Sequence, residues 1–194
     1  MDKIDPLQVN KLIRNRRSVF PASYNEKEIP EEILKEILEN ANWAPTHRHT
    51  EPWRFKVVRG AALERLGLFL GEAYKKIVSE ERFSPMKLKK TIKKPTQCAA
   101  VIAICMQRDE RERIPEWEEL AATACAVQNL WLSCSAYNIG GYWSSPKTIE
   151  LAGEFFELKE GERCIGFFYM GYSDEASKPG ERSPIVDKVV WIDE

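Results

Sequence analysis

Arg14, Arg16 and Arg17, followed directly by Ser18, set three guanidiniums and a hydroxyl within five residues. A planar guanidinium binds oxygen anions in bidentate fashion, and each charge-assisted hydrogen bond contributes about 1.5 to 3 kcal/mol, so the group suits a phosphate. The same residues at a helix C-terminus would also offset the macrodipole, so the motif alone is weak. Far along the chain, Lys178 and Arg182 in KPGER form a second basic group. In a free tail they would only aid solubility; in a tail that folds back they would join Arg16 around one anion. Between these groups lies WAPTHRHTEPWRF, residues 43–55, which holds both histidines of the chain, His47 and His49. Their spacing invites a metal reading, but an open zinc site takes about three protein ligands and no third histidine or acidic cluster completes one. No metal is expected. There is no GxSxG, Walker loop or GxGxxG, and no cysteine paired with a base motif. Acyl and phosphoryl transfer lack their parts, which points to a borrowed cofactor with the protein supplying binding and electrostatics.

The elements that must hold these residues follow from periodicity. Asp5-Pro6 opens a helix carrying Leu7, Leu12 and Ile13 inward, and Pro30 opens another with Ile33, Leu34, Ile37, Leu38 and Ala41 at helical spacing, ending before Pro45. Trp53 to Val57 alternates at period two and predicts a strand, with Trp53 and Phe55 as core. A helical pattern returns from 61 to 79. AAVIAICM, 99–106, reads as a central strand buried on both faces. From Trp117 to Tyr137 apolar residues cover most sides of a long helix, more than a small domain buries alone, so this spine should also meet a partner. A short strand near Tyr142-Trp143, a helix over 148–156 and a strand over 164–172 complete the intermixed pattern. The class is α+β or a three-layer α/β sandwich. The basic run KLKKTIKK, 87–94, reads as a solvated helix face, and the polar stretches 80–96 and 107–116 are the candidate covers of a pocket. Residues 173–194 end in the apolar VVWI, which suits an arm packed on a second subunit better than a free tail.

The chain has 194 residues, which suits a single domain over 1–194. Its 29 basic and 30 acidic side chains give a net charge of -1, so no global field draws it to nucleic acid or an anionic membrane. Five cysteines without a CxxC fit reduced thiols. With no apolar leader and no run of about 18 apolar residues, the expectation is a cytoplasmic protein with no membrane partner.

RRSVF at 16–20, the 43–55 segment, WEELAATACAVQNLWLSCSAYNIGGYW at 117–143 and KPGERSP at 178–184 occur in an order that resembles the nitroreductase family, chiefly its small bacterial members, over nearly the whole chain. The resemblance implies a nitroreductase-like fold with a mixed or antiparallel central sheet flanked by helices, and a homodimer that exchanges C-terminal arms, with FMN at the subunit interface and NAD(P)H as reductant. By residue matching, it implies that Arg16, Arg17 and Ser18 contact the FMN phosphate, ribityl chain and pyrimidine edge, with Arg182 and Lys178 on the phosphate. Trp43, Pro45, Thr46, His47 and His49 would be laid against the ring by the other subunit; Tyr137, Asn138, Trp143, Ser144 and Ser145 would line its edge. No side chain is assigned the chemical step, because flavin N5 would carry the hydride to a nitroaromatic, a quinone or a similar small acceptor by a ping-pong route. Other chemistry on the same fold (dehalogenation, heterocycle dehydrogenation, flavin destruction) and a flavin-binding protein with little turnover are the alternatives. The first alternative rests on what relatives of this fold do, the second on Phe20 and Ser144, which stand where relatives carry cations; Glu51 also stands where glutamine is usual and His49 where asparagine is usual.

Overall fold

The computed structural model describes residues 4–175 and 179–193. The first helix, α1 (Pro6–Asn15), starts where the sequence predicts: the Asp5 carboxylate accepts from the Leu7 amide at 2.9 Å, and Pro6 occupies the position where no amide is needed. Its apolar stripe does not face inward as expected. No residue of α1 is buried, and Leu7 and Ile13 are 73% and 50% exposed. Periodicity identified the apolar side, but within one chain only Leu12 on it is half-buried, beside Leu132 and Ser133.

Helix α2 (Glu31–Asn42) has Pro30 as its cap and buries Leu34, Ile37 and Ala41; it stops three residues before Pro45. A 3₁₀ turn at His47–His49 leads to β1 (Trp53–Arg59), in which Trp53 is buried and Phe55 half-buried against the same core. Helices α3 (Ala62–Ile77) and α4 (Pro85–Thr96) follow, then β2 (Ala100–Gln107), the long α5 (Glu116–Ala136) and β3 (Gly140–Ser144). The helix expected over 148–156 is instead a 3₁₀ turn, Lys147–Leu151, followed by one short turn, α6 (Gly153–Phe156). β-Branched Thr148 and Ile149 and the flexible Gly153 weaken a continuous α-helix there, and Glu157 ends it at a φ of 50°. Strand β4 (Glu162–Gly171) closes the sheet, and a last 3₁₀ turn spans Ile185–Lys188.

The sheet has the order β1-β2-β4-β3 and is antiparallel at every pairing, so of the two expected forms the antiparallel one is found. Central β2 is buried along seven of its eight residues, and its alternation divides the core. Ala100, Ile102 and Ile104 pack with α2 and α5, whereas Val101, Ala103 and Cys105 pack with α3. Helices therefore cover both faces, giving the three-layer α+β sandwich.

Both segments considered as covers are anchored. Helix α4 approaches α3 so closely that a methyl group at Gly67 would collide with the Ile92 carbonyl, and one at Gly71 would lie 2.6 Å from the Ile92 side chain. The 107–116 stretch is tied by Arg108, which pairs with fully buried Glu119 and donates to the Ile114 carbonyl at 2.8 Å, and by Arg113, which pairs with Asp109 at 2.9 Å. Among the described residues, no helix is long and apolar enough to cross a membrane, and all five cysteines are free thiols.

Candidate functional site

Arg16 caps α1 and leaves the helix in an extended conformation, its amide bonded to the Leu12 carbonyl. The next residues run beside β3: Ser18 bridges Gly141 in parallel, and the Val19 amide donates to the Gly141 carbonyl at 3.0 Å. Tyr24 secures the turn from below by donating its hydroxyl to the Val19 carbonyl at 2.6 Å. This stitching turns Arg16 onto α5, where its guanidinium carbon sits 4.2 Å above the Trp131 ring. The Trp131 indole N–H in turn donates to the Arg17 carbonyl at 3.3 Å.

The tail reaches the same corner. A methyl at Gly180 would lie 2.6 Å from the Arg17 guanidinium carbon, so this glycine admits a close passage of the chain over Arg17. Arg182 then comes near enough to Arg16 to repel it. Burial first, then Arg182 and Arg17, lower the pKa of Arg16. Its Nη1 is buried with no hydrogen-bond partner among the described residues. Three guanidiniums gathered with one donor left orphaned form a corner that an oxyanion would relieve. Lys178, assigned to the same anion, lies outside the described residues.

Arg17 and Asn138 share a cavity of about 550 Å³ that also touches Asn15, Ser135 and Gly140. Asn138 ends α5 with a φ of 55°, an αL position asparagine tolerates, and the Ile139 amide closes the helix on the Cys134 carbonyl at 2.8 Å. Tyr137 lines the neighbouring hollow with Leu12 and Ser133. On β3 the alternation separates the assigned residues. Trp143 packs on the α2–α5 side and holds a second orphaned donor, its buried indole N–H. Ser144 lines a cavity on the α3–α4 side, and Ser145 is exposed beyond the strand. Phe20 does not point into solvent alone but stacks on Tyr142, with centroids 4.5 Å apart.

The histidine segment forms elsewhere. Arg48, His49 and Glu51 all have positive φ, and the bend is held by the Glu51 amide donating to the Thr46 hydroxyl at 3.1 Å. His47 Nδ1 lies 2.6 Å from the Glu118 carboxylate, near the start of α5. Pro45 and His49 are exposed, Thr46 is half-buried, and Trp43 is 79% exposed with its indole N–H on Glu39. Glu118 and Trp131 are thirteen residues apart on one helix, so His47 and Arg16 are separated by about 20 Å along its axis. Within one chain the site residues thus gather into two groups, Arg16, Arg17, Ser18, Asn138 and Arg182 in one and Trp43 to His49 in the other. The Glu118 link was not legible beforehand; nothing in residues so distant in sequence signals it.

The fold is an α+β sandwich in which three guanidiniums, one with an orphaned buried donor, gather beside a long central helix. The model described as the nitroreductase family matches residues 13–172, and the chain belongs to that family of oxidoreductases. It is 31% identical over 183 residues to a provisionally named NAD(P)H nitroreductase, YfhC of Bacillus subtilis, covering 91% of this chain and 90% of that one. Among solved structures, a nitroreductase-like family protein from Bacillus cereus superposes with a TM-score of 0.84 at 28% identity over the full length of both chains. The FMN-dependent nitroreductase NfnB from Mycobacterium smegmatis, solved in complex with NADPH, superposes with a TM-score of 0.78. At 17% identity, covering 97% of this chain and all of that one, it is similar in fold alone.

Proposed function

We propose that this chain is an FMN-dependent oxidoreductase that takes hydride from NAD(P)H and passes it to an oxidised small molecule, a nitroaromatic or quinone, in a ping-pong sequence. The observation that carries the reading is the arginine corner, where Arg16 is desolvated, repelled by Arg182 and Arg17, and left with an unpaired buried donor. A dianionic phosphate answers each of these deficits at once. The bound FMN supplies the ring that accepts and releases hydride. Arg16 and Arg182 hold its phosphate, Ser18 and Asn138 orient the chain behind it, and Arg17 stabilises negative charge at the pyrimidine edge. Solvent supplies protons. The names of the B. subtilis and M. smegmatis relatives support the assignment of NAD(P)H and FMN.

The site is shared by two copies. Its two groups lie at different ends of α5, and an antiparallel pairing of two such helices would bring the Trp43–His49 segment of one chain to the arginine corner of the other. An exposed apolar stripe on α5, with Trp117 68% exposed and Leu120 40% exposed, supports this pairing, as do bare Leu7 and Ile13 on α1. Residues 1–194 act as one domain whose 173–194 arm packs on the partner, covering Val190, Trp191 and Ile192, all now exposed. The interface should bury about 2,000 Å² or more in total, as obligate dimers do. Five unpaired thiols favour the reducing cytoplasm as its compartment.

The test is a visible spectrum of the purified protein, repeated anaerobically with NADPH and then NADH. Stoichiometric FMN that bleaches on addition is the expected result; a colourless protein that takes up no added FMN overturns the reading. The double change Arg16→Ala with Arg182→Ala should release FMN from a folded dimer, and full occupancy in that variant would remove the phosphate assignment.

A further inference from the structure

Of the five cysteines, two stand face to face: the ladder between β2 and β4 places Cys105 directly opposite Cys164. An irregularity makes the pair. Ile104 opposes Gly166, so an even ladder would set Ile165 against Cys105, but the register shifts at this point and brings Cys164 there instead. Ile165 turns to the α2–α5 core, while both thiols enter the α3 side, Cys105 fully buried and Cys164 8% exposed. Directly opposed residues of an antiparallel pair hold their Cα atoms about 4.5 to 5.5 Å apart, inside the roughly 4.4 to 6.8 Å that a disulfide spans. The other thiols are placed differently. Cys98 lies just before the start of β2 and donates to the Lys94 carbonyl at 3.4 Å, Cys134 packs on the other face of the sheet, and Cys125 is exposed on α5.

We propose that Cys105 and Cys164 are a modification site: a dithiol that hydrogen peroxide converts, within one chain, into a cross-strand disulfide. The Cys164 thiolate attacks one peroxide oxygen; the O–O bond breaks, hydroxide leaves and takes up the proton the thiol gave, and a sulfenic acid remains. Cys105 then attacks that sulfur, the S–O bond breaks, and the Cys105 proton leaves with the hydroxyl as a second water. The two sulfurs lose two electrons and the peroxide gains them. Their surroundings set the order. Cys164 is the thiol that a small oxidant can reach, and the Cys105 thiol donates a hydrogen bond to it, which holds the Cys164 pKa down and raises that of Cys105. The Glu162 carboxylate opposes a thiolate at either sulfur, but Lys56 pairs with it at 2.9 Å and offsets its charge. The pair lies on the sheet face away from Trp131 and shares no residue with the arginine corner, so it does not rest on the FMN reading.

The experiment treats the native full-length protein with a small excess of hydrogen peroxide, removes the oxidant with catalase, denatures in N-ethylmaleimide and maps peptides by mass spectrometry without reductant. The expected product is one linked peptide pair joining Cys105 to Cys164, two hydrogens lighter than the dithiol, with both thiols recovered by dithiothreitol. In Cys105→Ser, Cys164 should halt as a sulfenic acid that dimedone traps; in Cys164→Ser, oxidation of Cys105 should slow at least tenfold. Linkage of either cysteine to another partner, over-oxidation of Cys164 while Cys105 stays reduced, or both thiols intact once exposed Cys125 is fully oxidised would each overturn the proposal. Undiminished oxidation of Cys105 in Cys164→Ser would overturn it as well. Where a serine variant loses the wild-type circular dichroism, the wild-type map decides alone. Every readout is a mass, so a protein without FMN tests this inference equally, and the two readings fail separately.

Discussion

Of the cations that rest on aromatic rings in this protein, Arg16 and Lys94 sit in different surroundings that give them different tasks. Arg16 stacks on Trp131 beside two other guanidiniums, a charge that persists at physiological pH although burial lowers its pKa, and that therefore asks for an anion. Lys94 stacks on Tyr142 and Tyr169 in a place where its proton is negotiable. Its folded pKa is about 8, against 10.5 for an ordinary lysine, so between those values the unfolded chain binds more protons and stability rises with pH. Below pH 8 both states carry the charge and the penalty is constant. Chemical denaturation of the wild type and of Lys94→Met at pH 7.5 and about pH 10 should show it: the wild type gains on the order of 1 kcal/mol relative to the variant, a figure reduced for partial solvent access. Taking the difference removes the titration of cysteines and tyrosines common to both. Parallel pH dependence of the two proteins would mean that Lys94 is not desolvated.

At the scale of elements, α3 and α4 act as one unit because two glycines, a turn apart on α3, let Ile92 come down onto them, its backbone on Gly67 and its side chain on Gly71. Gly67→Ala forces a methyl group against a carbonyl oxygen that cannot rotate away. Overpacking of this kind costs about 1 to 3 kcal/mol, and it should loosen α4 in particular. Urea denaturation should report the loss, and faster proteolysis within residues 80–96 should locate it, whereas β2 amides keep their exchange protection. Periodicity made most elements legible: α2, β1, β2, α5 and β4 all fall where apolar spacing puts them. It failed where spacing carries no information about the neighbour. Leu7 and Ile13 define an apolar side of α1, but the sequence does not say which chain covers it. KLKKTIKK reads as solvated because the rings beneath Lys94 come from β3 and β4, distant in sequence. In the candidate site, Arg16 and Arg182 were legible as types that suit one anion, and their convergence required a tail that folds back. The face of Ser144 followed only once the register Ser144↔Phe167 was known.

For the whole molecule, the separation of the arginine corner from the histidine segment along α5 makes a prediction that only a shared site satisfies. Arg16→Ala chains lack one group and His47→Ala chains the other, so each homodimer should turn over acceptor poorly. Mixed by unfolding and refolding together, they should recover about one quarter of wild-type sites, since random pairing gives half mixed dimers, each with one intact site. Recovery no greater than the average of the two parents would mean that each chain completes its own site. The same separation has a consequence for biosynthesis. In the shared-site reading proposed above, a newly released chain owns half of each of two flavin sites and the whole of neither. Flavin capture then waits on an encounter between chains, so at low dose the rate at which colour appears should grow with the square of chain concentration. A cell making little of this protein would hold it for a time as pale, unladen chains.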